Sequence, residues 1–220
     1  MTRCSNCSAP LPANTNQCLY CCSHNDIDLR NKLAFVVAQE QTSKPCPNCQ
    51  TELQTIGLSH FGSEPLQIER CHNCYGLFFE LNEIQRFLDY AVVDDSMPIN
   101  HQHIDTINKD RYPKTQNVKY LKCPICQNFM GRTLFGYRSG VVVDCCPKHG
   151  TWLDSGQATH LLEWKKMGGE LLANQKKQSG EIPKNPPHQF PSTMATNIPT
   201  NPFELDLLQD VLSLLTKLLD

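Results

Sequence analysis

Six short motifs in this chain place pairs of soft ligands at one spacing: Cys4/Cys7, Cys18/Cys21, Cys46/Cys49, Cys71/Cys74, Cys123/Cys126 and Cys146/His149. Two residues separate the members of each pair. One tight turn can then aim two side chains at one ion while turn amides donate to the sulfurs, and two such turns complete a tetrahedral set. A lone Cys-x-x-Cys is also the pattern of a redox dithiol. Five of them and a Cys-x-x-His, in consecutive pairs, form the pattern of metal-binding ribbons. The expected cofactor is Zn2+, three ions per chain: on Cys4, Cys7, Cys18 and Cys21; on Cys46, Cys49, Cys71 and Cys74; and on Cys123, Cys126, Cys146 and His149. Four protein ligands close each site and leave no open position for an activated water. No nucleophile–base pair, phosphate loop or paired carboxylate stands out, so the chain reads as non-enzymatic.

The last motif, "VVVDCCPKHG", offers two cysteines for one role. Counting back from the aromatic favours Cys145, which precedes Trp152 by seven positions as Cys71 precedes Phe78. Counting through the turn favours Cys146, because only Cys146 keeps two residues before His149. The hairpin agrees with Cys146. Cys49 to Cys71 is 22 positions and Cys126 to Cys146 is 20, an even loss that preserves strand facing, whereas Cys145 would shift it by one. Cys146 is therefore the expected ligand, with a shorter exit after His149. Cys145 then resembles Cys22, a spare thiol beside a metal site: a place for ligand exchange or oxidation, or simply a small inert residue.

The rest of the chain has to position these ligands without a large core. Of 220 residues only 40% are hydrophobic and 8% aromatic, and 15 prolines and 13 cysteines divide the chain into short pieces. Modules of that size need metals, disulfides or partners to fold. The start, "MTRCSNCSAP", is polar, and no run approaches the roughly 18 apolar residues of a membrane span. No membrane association is expected. A reducing cytoplasmic setting is, where paired cysteines hold metal more often than they form disulfides. The formal charge of −2 gives nucleic acid no general electrostatic attraction, and thiol deprotonation on zinc binding makes the loaded protein more acidic still.

The expected fold class is a set of small metal-stabilised α+β modules: three zinc ribbons and a C-terminal amphipathic helix. Residues 1–24 form a short ribbon, and 25–44 a connector, extended or briefly helical, packing on it. Residues 45–92 form a ribbon whose hairpin turns at Gly62. Ile84, Phe87, Leu88 and Ala91 then mark one face of a helix beginning near Asn82. Residues 93–119 read as a polar linker. Residues 120–177 repeat the plan, with turns at Gly136 and Gly140, a helix cap at Asp154 or Ser155, core positions Leu161, Leu162 and Trp164, and a break at Gly168-Gly169. Residues 178–200 are a Pro-rich linker. In residues 201–220, Asn201, Pro202 and Glu204 form a helix start. Leu208, Val211, Leu212, Leu215, Leu218 and Leu219 make an apolar face that suits either folding back onto the ribbons or docking to a protein partner.

Two stretches, "CPNC…CHNCYGLFFELNEIQRFL" and "CPIC…CPKHGTWLDSGQATHLL", resemble the bacterial transcription factor IIB-type zinc-ribbon family. Its pattern is CPxC, a hairpin, CPxCGG, an aromatic, Leu-Asp and a short helix. Residues 4–21 are similar to short zinc ribbons of the form CxxCGAPLP…CxYCG. The resemblance implies structural zinc and a nucleic-acid-binding or protein-binding role, without catalysis. Two departures stand out: Phe78 replaces the usual Trp, and no Gly follows most of the cysteine turns.

Beside a protein-interaction adaptor or regulator stand two other readings. One is a nucleic-acid-binding regulator that uses Phe78, Phe79 or Trp152 for stacking and Lys119, Lys122, Arg132, Arg138 and Lys148 for phosphates. The other is a thiol switch or zinc donor acting through Cys22 or Cys145. The aromatics read better as hydrophobic plugs and the cations as a solvated surface. His72, His101 and His103 read as bystanders.

Overall fold

A computed structural model describes residues 3–11, 16–29, 35–58, 66–91, 98–107 and 118–181. The chain divides into two units, Met1–Phe190 and Pro191–Asp220. The second, with the expected helix at 201–220 and its face of Leu208, Val211, Leu212, Leu215, Leu218 and Leu219, lies outside the described residues, as does the Pro-rich linker from residue 182 onward.

Among the described residues, seven strands form one antiparallel sheet. They are β1 (Phe35–Pro45), β2 (Glu52–Leu58), β3 (Leu66–Arg70), β4 (Leu77–Glu80), β5 (Gly131–Leu134), β6 (Val142–Cys146) and β7 (Gly150–Leu153). Their order is β1-β2-β3-β4-β7-β6-β5. Strands β2 and β3 of the expected hairpin are present, registered through Ile56 opposite Ile68, while its expected turn at Gly62 lies outside the described residues. The second half of the expected connector is β1, which pairs with β2 of the second ribbon.

Ribbons two and three share this sheet. Strand β4 pairs with β7, Phe78 standing opposite Trp152 and Leu77 opposite Leu153. Period-two alternation then sorts the side chains onto two faces. On one face Ile56, Ile68, Val143 and Leu153 pack beneath helices α1 (Glu83–Ala91) and α3 (Gln157–Lys166) through Phe87 and Leu161. On the other face Leu53, Phe78, Met130 and Trp152 form a second core joined to the cysteines of both ribbons.

Helix α1 starts one residue after Asn82 and buries Ile84, Phe87 and Leu88. Helix α3 is not capped by Asp154 or Ser155. Gly156 occupies the N-cap position and makes no side-chain cap, while Asp154 accepts from Trp152 Nε1 at 3.0 Å. The cap comes from far away: Asp28 Oδ2 accepts from Gly156 N at 2.6 Å and Asp28 Oδ1 from Thr159 N at 2.8 Å. Gly168 and Gly169 do break the helix, and α4 (Gly169–Gln178) follows.

The expected polar linker contains a helix, α2 (His101–Thr106), capped by Asn100 Oδ1, which accepts from His103 N at 2.9 Å. Ile104 and Ile107 bury against Trp164 and Leu172, forming a third small core. Lys165, nearly buried, ties the helices together. It donates to Asp89 of α1 and pairs with Glu170 of α4 at 2.9 Å. Burial alone would lower its ammonium, but the bonds and charges of those two carboxylates leave it raised.

Candidate metal centres

Each Cys-x-x-Cys turn is built the same way. The amide of the residue after the second cysteine donates to the carbonyl of the first: Ser8 to Cys4, Cys22 to Cys18, Gln50 to Cys46, Tyr75 to Cys71 and Gln127 to Cys123, at 2.9–3.0 Å. Closing the turn puts those five residues in the left-handed region, with φ between 57° and 64°. In the resembled patterns glycine stands at the positions that correspond to Ser8, Cys22 and Tyr75. Side chains offset the strain at the other two, Gln50 Nε2 donating to Cys46 O at 3.1 Å and Gln127 Nε2 to Cys123 O at 3.1 Å. It also accounts for Cys22, which is exposed and simply occupies the closing position of its turn.

Three groups of donor atoms converge, each with all atoms within 4.8 Å of one another: Cys4, Cys7, Cys18 and Cys21; Cys46, Cys49, Cys71 and Cys74; Cys123, Cys126, Cys146 and His149. A tetrahedron with Zn–S bonds of about 2.3 Å has edges of about 3.8 Å. The sulfurs approach that edge. Cys4 and Cys21 are 3.6 Å apart, Cys46 and Cys74 3.6 Å, and Cys126 and Cys146 3.8 Å. His149 presents Nδ1, 3.4 Å from Cys146 Sγ and 3.6 Å from Cys123 Sγ. All thirteen cysteines are free thiols, far from disulfide contact. Each group can hold a zinc ion, three in all.

The thiols press on one another. In the second group the bond to Cys71 drives Cys46 upward, and the reciprocal bond is the largest cause lowering Cys71. Metal binding resolves that competition by replacing the protons, so affinity falls in acid. Turn amides support the sulfurs, with Asn6, Asn48 and Ile125 each donating to the first cysteine of its own turn at 3.4 Å. Two hydroxyls add to this, and the sequence reading missed both. Ser23 lies 3.2 Å from Cys4 Sγ and 3.0 Å from Cys21 Sγ, and Thr51 lies 3.1 Å from Cys49 Sγ and 3.3 Å from Cys71 Sγ. Each stands five residues after the first cysteine of its turn, a signal legible once the turn geometry is known.

Strand parity separates the two adjacent cysteines. Cys146 faces the metal side of β6, in the core with Trp152; Cys145 points to the opposite face, in the core with Val143 and Leu153. Burial pushes the Cys145 thiol up to about 11, with Thr151 Oγ1 3.5 Å away. A buried, protonated thiol is a poor nucleophile, which weighs against Cys145 as a redox centre. The exit after His149 is indeed shorter. Cys74 is followed by Tyr75 and Gly76 before β4, whereas β7 begins directly at Gly150. Gly150 has φ of 141°, and a Cβ there would lie 2.0 Å from Phe79 O.

Phe78, Phe79 and Trp152 are fully buried and have no face to offer a base. Of the basic residues, Lys119 donates to Asn48 O at 2.6 Å, Arg138 pairs with Asp105 at 2.7 Å, and Lys122 lies over the Phe129 ring at 5.5 Å. His72, His101 and His103 are exposed and join no ligand group among the described residues. Among those residues no helix is long and apolar enough to cross a membrane.

Convergent four-donor groups on cysteine turns, with a hairpin between the pairs of ribbon two, define a zinc-binding ribbon protein. The family model for the transcription factor zinc-finger, a zinc ribbon of the transcription factor IIB type, matches residues 45–90, which hold the second ligand group with β2, β3, β4 and most of α1. No curated protein and no solved structure matches the chain.

Proposed function

We propose that this chain is a non-enzymatic adaptor or regulator whose zinc ribbons build a rigid body for contacts with other proteins. We also propose that residues 120–177 are a second copy of the family matched at 45–90, altered at its fourth ligand. The observation that carries the first reading is the closure of each metal group: four protein donors per site suit structural rather than catalytic zinc. The second rests on the pairing of β4 with β7, which sets Phe78 opposite Trp152 across the sheet, beside the two ligand groups. Native mass spectrometry of protein purified without added metal should find three zinc ions per chain. Pull-downs with and without residues 201–220 then test recruitment through the tail, and equal recovery would remove the tail from the adaptor reading.

The family description favours one other reading, nucleic-acid binding. It requires association with duplex or single strand that weakens steeply with salt. Absence of binding at low ionic strength would eliminate it.

A further inference from the structure

Residues 26–29, Asp26-Ile27-Asp28-Leu29, lie across the molecule like a bound peptide, and each side chain has its own seat. Asp26 Oδ2 accepts from Arg70 at 2.6 Å. Ile27 Cδ1 lies against Gly156, 3.2 Å from where a Cβ would stand. Asp28 caps α3 through the amides of Gly156 and Thr159. Leu29 is fully buried in the core beside Leu161 and Ile68. A basic side chain, an open glycine surface, two amide donors at a helix start and an apolar socket thus recognise one pattern: acid, aliphatic, Asp, Leu.

What holds this segment in place at its N-terminal end is the first ribbon. Asn25, buried, accepts from Ser5 N at 2.8 Å and donates to Asn16 O at 3.3 Å and Ser23 O at 3.1 Å. Those three residues belong to the loops that carry Cys4, Cys7, Cys18 and Cys21. This ribbon has only a small core of its own, and Cys7 is exposed where every ligand of the other two groups is buried or half-buried. Ordering of its loops depends on the metal, so the metal also fixes the anchor of the strap.

We propose that the seat formed by Arg70, Gly156, Thr159 and the Leu29 socket is a peptide-binding site. Its ligand is a segment of the pattern acid–aliphatic–Asp–Leu, and zinc on the first ribbon keeps the chain's own residues 26–29 in it. Loss of that zinc frees the strap and opens the seat to a competing segment from another chain. This deepens the adaptor reading by naming a site and a partner chemistry. The pattern occurs once more in this sequence, at Glu204-Leu205-Asp206-Leu207, which supplies a probe of the right chemistry. While the strap is tethered beside its seat, its effective concentration excludes such a peptide. Linkage requires the reverse coupling too: weakening the strap must weaken zinc at the first ribbon.

The test uses the full-length chain with Asp206→Asn, so that an added labelled peptide of residues 201–210 is the sole source of that carboxylate. Fluorescence anisotropy is measured on this protein with three zincs and on a version also carrying Cys4→Ser and Cys18→Ser, with native mass spectrometry verifying the two remaining zincs. The peptide should bind the second at least ten-fold more tightly and restore slow exchange at the Thr159 amide; the same peptide with Asp206→Asn should lose at least ten-fold. In an otherwise unaltered chain, Asp28→Asn should release the first-ribbon zinc at lower chelator concentration. Equal binding to both proteins, equal binding of the altered peptide, or unchanged Thr159 exchange after loss of that zinc would each overturn the proposal. Tail-dependent pull-down of a partner by the zinc-loaded chain would stand in any of those cases, so the two readings fail separately.

Discussion

Phe78 stands directly opposite Trp152 in the β4–β7 pair, and both side chains are fully buried between the second and third ligand groups. Two ribbons that carry separate zinc ions therefore have one core between them. Truncating either aromatic should cost about 3–5 kcal/mol. The informative result is where the damage falls. Phe78→Ala lies in ribbon two, yet hydrogen exchange should accelerate at β6 and β7 of ribbon three as well. Damage confined to residues 45–90 would show that the two ribbons are energetically independent.

Gly150 tests the same junction through the backbone. Its φ and the carbonyl of Phe79 both exclude a side chain. Gly150→Ala should destabilise the protein by about 3 kcal/mol or more, combining left-handed strain with overpacking. Thermal unfolding of the zinc-loaded protein measures this. Gly131→Ala, at an exposed edge position where the added Cβ would meet Cys145 O at an ordinary 3.9 Å, is the matched control and should change little.

Cys145 and Cys146 should separate cleanly by zinc count. Cys146→Ser is expected to leave two zinc ions bound under native mass spectrometry. Cys145→Ala should keep three and lose only about 1 kcal/mol of packing. Three zincs held by Cys146→Ser with unchanged affinity would mean that the ligand is another residue.

Cys22 closes its turn at φ of 57° and is exposed. Glycine adopts that conformation without the penalty that a Cβ brings, roughly 1 kcal/mol. Cys22→Gly should therefore stabilise the first ribbon, seen as greater resistance to chelator. Gln50→Gly and Gln127→Gly should gain less, because each removes a side chain that donates to its own turn.

Lys165 carries a pH dependence. Its ammonium is raised by Asp89 and Glu170 despite burial. The stabilisation it brings is complete below the ordinary lysine value of about 10.4 and disappears as pH climbs through the raised one. Removing both carboxylates, Asp89→Asn with Glu170→Gln, leaves a nearly buried cation without partners and should cost about 1–3 kcal/mol, less than a fully buried pair because both carboxylates are partly exposed. Lys165→Met removes the charge itself and should cost less. A larger loss from Lys165→Met than from the double variant would contradict the assignment, as read by denaturant unfolding near neutral pH.

What was legible in the sequence was local. Cys-x-x-Cys spacing sets a turn of five residues, so five such motifs and one Cys-x-x-His announced six turns whatever the rest of the chain did. Period-two alternation in β6 carried enough information to send Cys146 one way and Cys145 the other. The 3.6-residue period of Ile84, Phe87 and Leu88 marked α1 for the same reason. Tertiary structure alone decided the rest. Asp28 caps a helix more than 120 residues away, β4 finds β7 across an intervening linker, and Ile104 and Ile107 turn part of that linker into core. Such contacts depend on which exposed strand edge, apolar stripe or open amide lies nearby after folding, and spacing along the chain does not record that. The sequence by itself determined the ligands' turns and the sheet faces; packing determined that ribbons two and three are one body and that a strap from the first lies across it.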